Sequence, residues 1–307
     1  MARSSRVKED GAIYHVMIRS ISEIDLFKED KDKVMYLNQM QKSMMMYKFK
    51  VYAYCIMTNH AHFIINSNGA DISKIMQGLN FKYAANYNKI HNRHGHLFQD
   101  RFKSKIVKSQ RYLTTLTAYI HNNPLKINGY EKTPENYKYS SLRVYLGVEK
   151  DKTGLLDEEY IIKFWGNNIE NARKKYMKYV FVCDDEKLNK EIEFENENTE
   201  YRSEKVILTR DFDANKIMDF IAKETGIKKI MLYIKNKKNT VKARALTALL
   251  MRCLCDYKCK DICKTLGNIT QSNVSRLCYI GVNIMLTNKK YENIIEKFIS
   301  QKSLNFS

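Results

Sequence analysis

The chain has 307 residues, enough for two domains that each bury a core, and lysine plus arginine outnumber aspartate plus glutamate by 53 to 34, a formal net charge of +19. That excess is too large for a solubility device alone and points to a polyanionic partner, of which nucleic acid is the commonest. No apolar run is long enough to span a bilayer and no signal-peptide pattern opens the chain, so a membrane role is not expected; seven cysteines without disulfide-like spacing suggest a reducing, cytoplasmic setting.

In chain order, "AIYHVMIR" (12–19) alternates and is rich in branched and aromatic residues, which predicts a strand. "KDKVMYLNQMQKSMMMYK" (31–48) has the helical period. "FKVYAYCIM" and "HAHFIIN" follow as two strands separated only by Thr58 and Asn59, as in a tight hairpin. A long helix is predicted from about Ile72 to Asn92, then a short strand in "SKIVK", then a helix at "QRYLTTLTAYIHNN" (110–123) stopped by Pro124. Interleaved strands and helices with hairpin-type links predict an α+β class with a mainly antiparallel sheet. The stretch "DDEKLNKEIEFENENTE" (184–200) is acidic and lacks apolar periodicity, as a solvated linker does. The expected division is a first domain over 1–150, a connecting segment over 151–205, and a helical DNA-binding domain over 206–307.

Two histidines stand one residue apart at the head of the third strand. Residues i and i+2 of a strand point to one face, so His60 and His62 can converge on one ion. Spacing alone leaves the alternative of two histidines on a solvated sheet face. On the 110–123 helix, Tyr112, Thr115, Tyr119 and Asn123 fall along one stripe, while Leu113, Leu116 and Ile120 form an apolar one. An amide oxygen from Asn123 is then a candidate third ligand, with Tyr119 presented one turn away. The competing reading for Tyr119 is a core-edge tyrosine, one of 21 in the chain.

In "NRHGHLFQDRFKS" (92–104), His94 and His96 repeat the spacing but flank Gly95 in a loop, which argues against a second metal site. Phe98, Arg101 and Lys103 are candidates to line a DNA path, by stacking and by phosphate contacts; Phe98 packing inward is the alternative. Further on, "VKARALTALLMRCLCDYKCKDICKTLGNITQSNVSRLCYIG" (241–281) reads as helix, short helix, turn at Gly267-Asn268, helix. That is a helix-turn-helix pattern with Ile262 and Leu266 facing Val274 and Leu277. Gln271, Ser272, Asn273, Ser275 and Arg276 are its candidates for base edges or phosphates. Cys253, Cys255, Cys259 and Cys263 lack paired C-x₂-C knuckles, and their periodicity favours the apolar core over zinc.

"YCIMTNHAHFII", "GHLFQDRFKS", "YIHNNPLKINGY" and "YKYSSLRVYLG" occur in an order and spacing that resembles the single-tyrosine HUH transposases, above all the REP-associated tyrosine transposases, over roughly residues 8 to 147. The resemblance implies an antiparallel-sheet, ferredoxin-like HUH nuclease domain. It implies that His60, His62 and Asn123 bind a divalent ion, Mg²⁺ or Mn²⁺, and that Tyr119 is the nucleophile. It further implies a metal-dependent strand transferase that cleaves and rejoins single-stranded or hairpin DNA through a 5′-phosphotyrosine intermediate, with Arg19 among the DNA-binding residues. Its partner would be single-stranded DNA with hairpin or palindromic ends, bound by a monomer or a homodimer. The chain departs from the family with Thr58 in place of a proline, Ser20 in place of a glycine and Asp100 in place of another. "TVKARALTALLMRCL" is similar to the C-terminal DNA-binding domain of the bacterial replication initiator, without that protein's base-reading residues. The alternative function is a non-catalytic DNA-binding regulator that retains the transposase fold.

Overall fold

A computed structural model describes residues 11–21, 24–183, 192, 212–234, 238–255, 257–267 and 269–303. Apart from Ile192, the acidic stretch 184–200 lies outside the described residues, as does Asn268 of the expected turn. The chain forms two compact units, one drawn from Met1–Met44 and Lys48–Ile207, the other from Met45–Tyr47 and Leu208–Ser307.

The first unit runs β1 (Ile13–Arg19), α1 (Asp30–Tyr47), β2 (Lys50–Ile56), β3 (His60–Asn66), α2 (Ile72–Ile90), β4 (Lys103–Ile106) and α3 (Gln110–Asn122). Two short helices, α4 (Leu142–Tyr145) and α5 (Glu158–Ile162), precede α6 (Ile169–Val182). The sheet has the order β2-β3-β1-β4, with every neighbouring pair antiparallel. Two β-α-β units thus interlock, so that β1 and β3, distant in sequence, lie side by side. This is the α+β, ferredoxin-like arrangement the sequence predicts.

Local chemistry fixes the element ends. The backbone N–H of Glu29 donates to Asp32 Oδ2 at 2.9 Å as α1 begins, and Lys48 closes it in the left-handed region at φ 54°. Asp71 and Ser109 cap α2 and α3 by accepting from Ser73 N and Tyr112 N. The link between β2 and β3 is closed by a bond from Met57 N to His60 O at 2.9 Å. Thr58 O and Asn59 O accept from Phe27 N and Ser20 N, so the surrounding backbone holds this turn although it lacks a proline.

The two sheet faces are covered differently. Phe63 of β3 stacks on Tyr36 of α1 at 5.7 Å, and Tyr36 meets Tyr83 of α2 edge-on at 5.1 Å, so α1 and α2 cover the Ala61–Phe63–Ile65 face. Tyr36, Phe63 and Tyr83 are fully buried, and each such side chain contributes roughly 1.5–3 kcal/mol by leaving water. The opposite face, carrying His60, His62 and Ile64, packs against α3 through β2 and β3. His121 of α3 bridges Tyr176 of α6 (2.6 Å) and Ser141 (2.7 Å), which fixes the rotation of the helix.

The second unit is helical: α7 (Ala214–Thr225), α8 (Lys238–Leu254), α9 (Cys259–Leu266), α10 (Gln271–Thr287) and α11 (Ile294–Ser303). Ile262, Leu266, Val274 and Leu277 share one core with Leu246, Leu249 and Phe298, and Cys253, Cys255 and Cys278 are buried in it. At Gly281 a Cβ would lie 2.8 Å from Ala245 O, so α8 and α10 cross too closely for any side chain there.

Candidate active site

The strand pairing decides what surrounds the two histidines. In the β1–β3 ladder Arg19 faces His60 and Met17 faces His62, and in the β1–β4 ladder Lys103 faces Met17 and Lys105 faces His15. Directly paired residues of an antiparallel ladder share a face. His15, Arg19, His60, His62, Lys103 and Lys105 therefore lie on the face that α3 only partly covers.

His60 is half-buried and His62 is buried, with ring centroids 5.3 Å apart and planes nearly perpendicular. Tyr119 meets His62 edge-on, at 5.8 Å and 89°. One turn on, Asn123 is buried and its amide nitrogen donates to Tyr119 O (2.9 Å) and Ile120 O (3.4 Å). That leaves Oδ1 as the atom this side chain offers to a cation.

Each histidine has its Nδ1 engaged. His60 Nδ1 pairs with Asn59 Oδ1, an acceptor, so Nδ1 carries the proton and Nε2 the lone pair. His62 Nδ1 lies 2.9 Å from Nε2 of the buried His15, whose ring stacks on it at 5.2 Å. The Nε2 atoms of both rings are thus the ones left to bind a ligand.

Protonation favours the same use. Burial first, then the charges of Arg19 and Lys126, hold His60 down at about 4. Burial, then His15, His60 and Lys126, push His62 well below its ordinary value. Burial, with Lys105, holds His15 at about 3. Neutral imidazoles are the metal-binding form, so two imidazole nitrogens and an amide oxygen suit a divalent ion that completes its shell with water or phosphate oxygens. Among the described residues, no group of three or more His, Cys, Asp and Glu is placed to hold an ion.

Lys126, in the turn Asn123–Lys126 just after α3, places its ammonium 5.9 Å from the centre of the Tyr119 ring. Sequence reading did not single out Lys126, His15 or Lys105. The alternation of "AIYHVMIR" puts His15 and Arg19 on one strand face, but only the strand order puts that face beside His62. Nothing local marks Lys126, which depends on the turn that Pro124 imposes.

The remaining predicted residues separate. Arg19 and Lys103 lie on the histidine-bearing sheet face, and Arg101 is exposed just before β4. Phe98 pairs by backbone with Ser20 and leans on Tyr83 at 6.4 Å, half-buried, so part of its ring is occupied by packing. Gln271, Ser272, Asn273, Ser275 and Arg276 are in the second unit, all exposed on the first turns of α10, while Val274 between them is buried.

Residues 9–123 match the family model described as "Transposase IS200 like". The match spans β1 through the end of α3, and so includes both histidines, Tyr119 and Asn123. Among solved structures, the chain is similar to a REP-associated tyrosine transposase bound to a REP hairpin, with 15% identity and a TM-score of 0.41, over 55% of this chain and 93% of that one. Among curated proteins, none matches it. No described helix is long and apolar enough to cross a membrane.

Proposed function

We propose that the protein is a metal-dependent DNA strand transferase that cleaves and rejoins single-stranded or hairpin DNA through Tyr119. The observation that carries this reading is the edge-on contact of Tyr119 with His62, beside a second neutral histidine and Asn123, within the IS200-like transposase segment. The phenolic oxygen of Tyr119 attacks a backbone phosphorus and the bond from phosphorus to the 3′ oxygen breaks. The products are a 5′-phosphotyrosine and a free 3′-hydroxyl, which takes up a proton as it leaves. Because the new ester keeps the phosphate bond energy, attack by another 3′-hydroxyl rejoins the strand and releases Tyr119.

This chain's residues prepare the step. A free tyrosine ionises near 10, so the phenolate needs positive charge nearby, and the Lys126 ammonium supplies it. Arg19, Lys103 and Lys105 offer phosphate contacts on the same sheet face. His60, His62 and Asn123 would hold a divalent ion, Mg²⁺ or Mn²⁺, which when bound offsets charge building on the phosphate oxygens. We read residues 206–307 as a separate helix-turn-helix domain that selects DNA through Gln271, Ser272, Asn273, Ser275 and Arg276 at the exposed start of α10.

The test is a denaturing gel with hairpin DNA labelled on either side of the cut, with and without chelator. A covalent adduct that keeps the label 3′ of the cut and vanishes in chelator supports the reading. Adduct formation by Tyr119→Phe, or full activity in chelator, contradicts it.

A further inference from the structure

Away from the histidines, the first unit holds a cavity of about 720 Å³ that the strand-transfer step does not use. It lies between the first half of α3, the turn Lys163–Trp165 and the end of α6, and its walls include Arg111, Thr114, Phe164, Trp165 and Tyr179. The size suits a small-molecule-sized group. Its chemistry narrows the choice. Three aromatic rings make an apolar, flat-sided wall. Tyr179 is held in place by a 3.0 Å bond between its hydroxyl and that of Thr115, and Trp165 packs on Tyr179 at 4.6 Å and on Tyr176 at 5.9 Å. One cation, the exposed Arg111, is part of the wall. Among the described residues, no Asp or Glu lines the cavity.

We infer that this cavity is a subsite for one unpaired nucleotide of single-stranded DNA, its base against the aromatic wall and its phosphate at Arg111. Aromatic platforms within a basic groove are the usual means of holding single strands regardless of sequence, because every base has a π-face. Placement agrees. Thr115 and Arg111 precede Tyr119 on the same helix by one and two turns, about 6 and 12 Å along its axis. The subsite would thus anchor the strand near the bond that Tyr119 breaks. The strand-transferase reading supplies the DNA, but the cavity can be tested without any cleavage.

Trp165 is the chain's only tryptophan, so fluorescence excited at the red edge of absorption, where the 21 tyrosines do not absorb, reports on this cavity. The full chain is titrated with a short single-stranded oligonucleotide, binding being followed in parallel by anisotropy of a labelled copy. Quenching should saturate together with the anisotropy. In a series of oligonucleotides each with one abasic position, quenching should be lost at one position only. Arg111→Ala, at an exposed site, should weaken binding of the intact oligonucleotide about tenfold and leave the secondary structure unchanged. Binding by anisotropy with silent Trp165 fluorescence, or equal quenching by every abasic oligonucleotide, would overturn the subsite while leaving the proposed function standing. Absence of any single-strand binding would remove both.

Discussion

His15, His60, His62 and His121 are held neutral by burial: His60 is lowered to about 4, His15 and His121 to about 3, and His62 well below its ordinary value. In an unfolded chain they titrate near 6.5. Between about 6.5 and 4 the unfolded chain binds protons that the folded one refuses, so stability present at neutral pH declines as pH falls through that window. For a fully buried histidine the loss at pH 5 is at most about 2 kcal/mol. Urea midpoints followed by Trp165 fluorescence should therefore be lower at pH 5 than at pH 7.5, and equal midpoints would contradict the burial of these rings. The same residues make distinct predictions for the site. His60→Ala removes a ligand and should lower manganese affinity, while His15→Leu, which frees His62 Nδ1, should lower it about 10- to 100-fold through loss of orientation. Lys126→Ala should slow adduct formation about 10- to 1,000-fold and leave metal affinity undiminished, since that charge repels a cation as well as stabilising phenolate. A drop in metal affinity for that variant would assign Lys126 a structural role instead.

At the scale of elements, the site depends on β3 presenting two rings to one face and on α3 being rotated so that Tyr119 meets them. Both rest on periodicity, which is why the shared faces of His60 with His62 and of Tyr119 with Asn123 are legible in the sequence, as are α1, α2 and the α+β class; the roles proposed for these four residues come from the resemblance of the surrounding motifs. What periodicity does not carry is the partner of each face. The pairing of His15 with His62 follows from β1 lying next to β3, and the Trp165 cavity follows from α6 packing on α3; both are long-range consequences of the sheet order and the core. The half-buried state of Phe98 is of the same kind, set by Tyr83. In the second unit the close crossing of α8 and α10 makes Gly281 a sharp test. Gly281→Val must push Ala245 backbone aside and should cost roughly 1–3 kcal/mol or more. Thermal unfolding of the second unit at an unchanged temperature would show that the helices separate more easily than their packing implies.

For the whole molecule, the proposed function assigns cutting of DNA to the first compact unit and finding it to the second, in keeping with the charge of +19. A chain truncated after about residue 205 should stay folded and form adduct, but bind its natural DNA more weakly; failure to fold would refute the division. DNA affinity should fall steeply between low and moderate salt, and removing Arg101 and Lys103 together should flatten that slope by about two phosphate contacts. An unchanged slope would take this edge of the sheet out of the DNA path. The central claim is that one tyrosine among 21 is the nucleophile, and it is tested most directly by digesting the protein after reaction with hairpin DNA and locating the nucleotide-bearing peptide by mass spectrometry. The account predicts a single modified peptide, with the 5′-phosphate on Tyr119. A nucleotide on any other tyrosine, or no modified peptide under conditions where the DNA is cut, would contradict it.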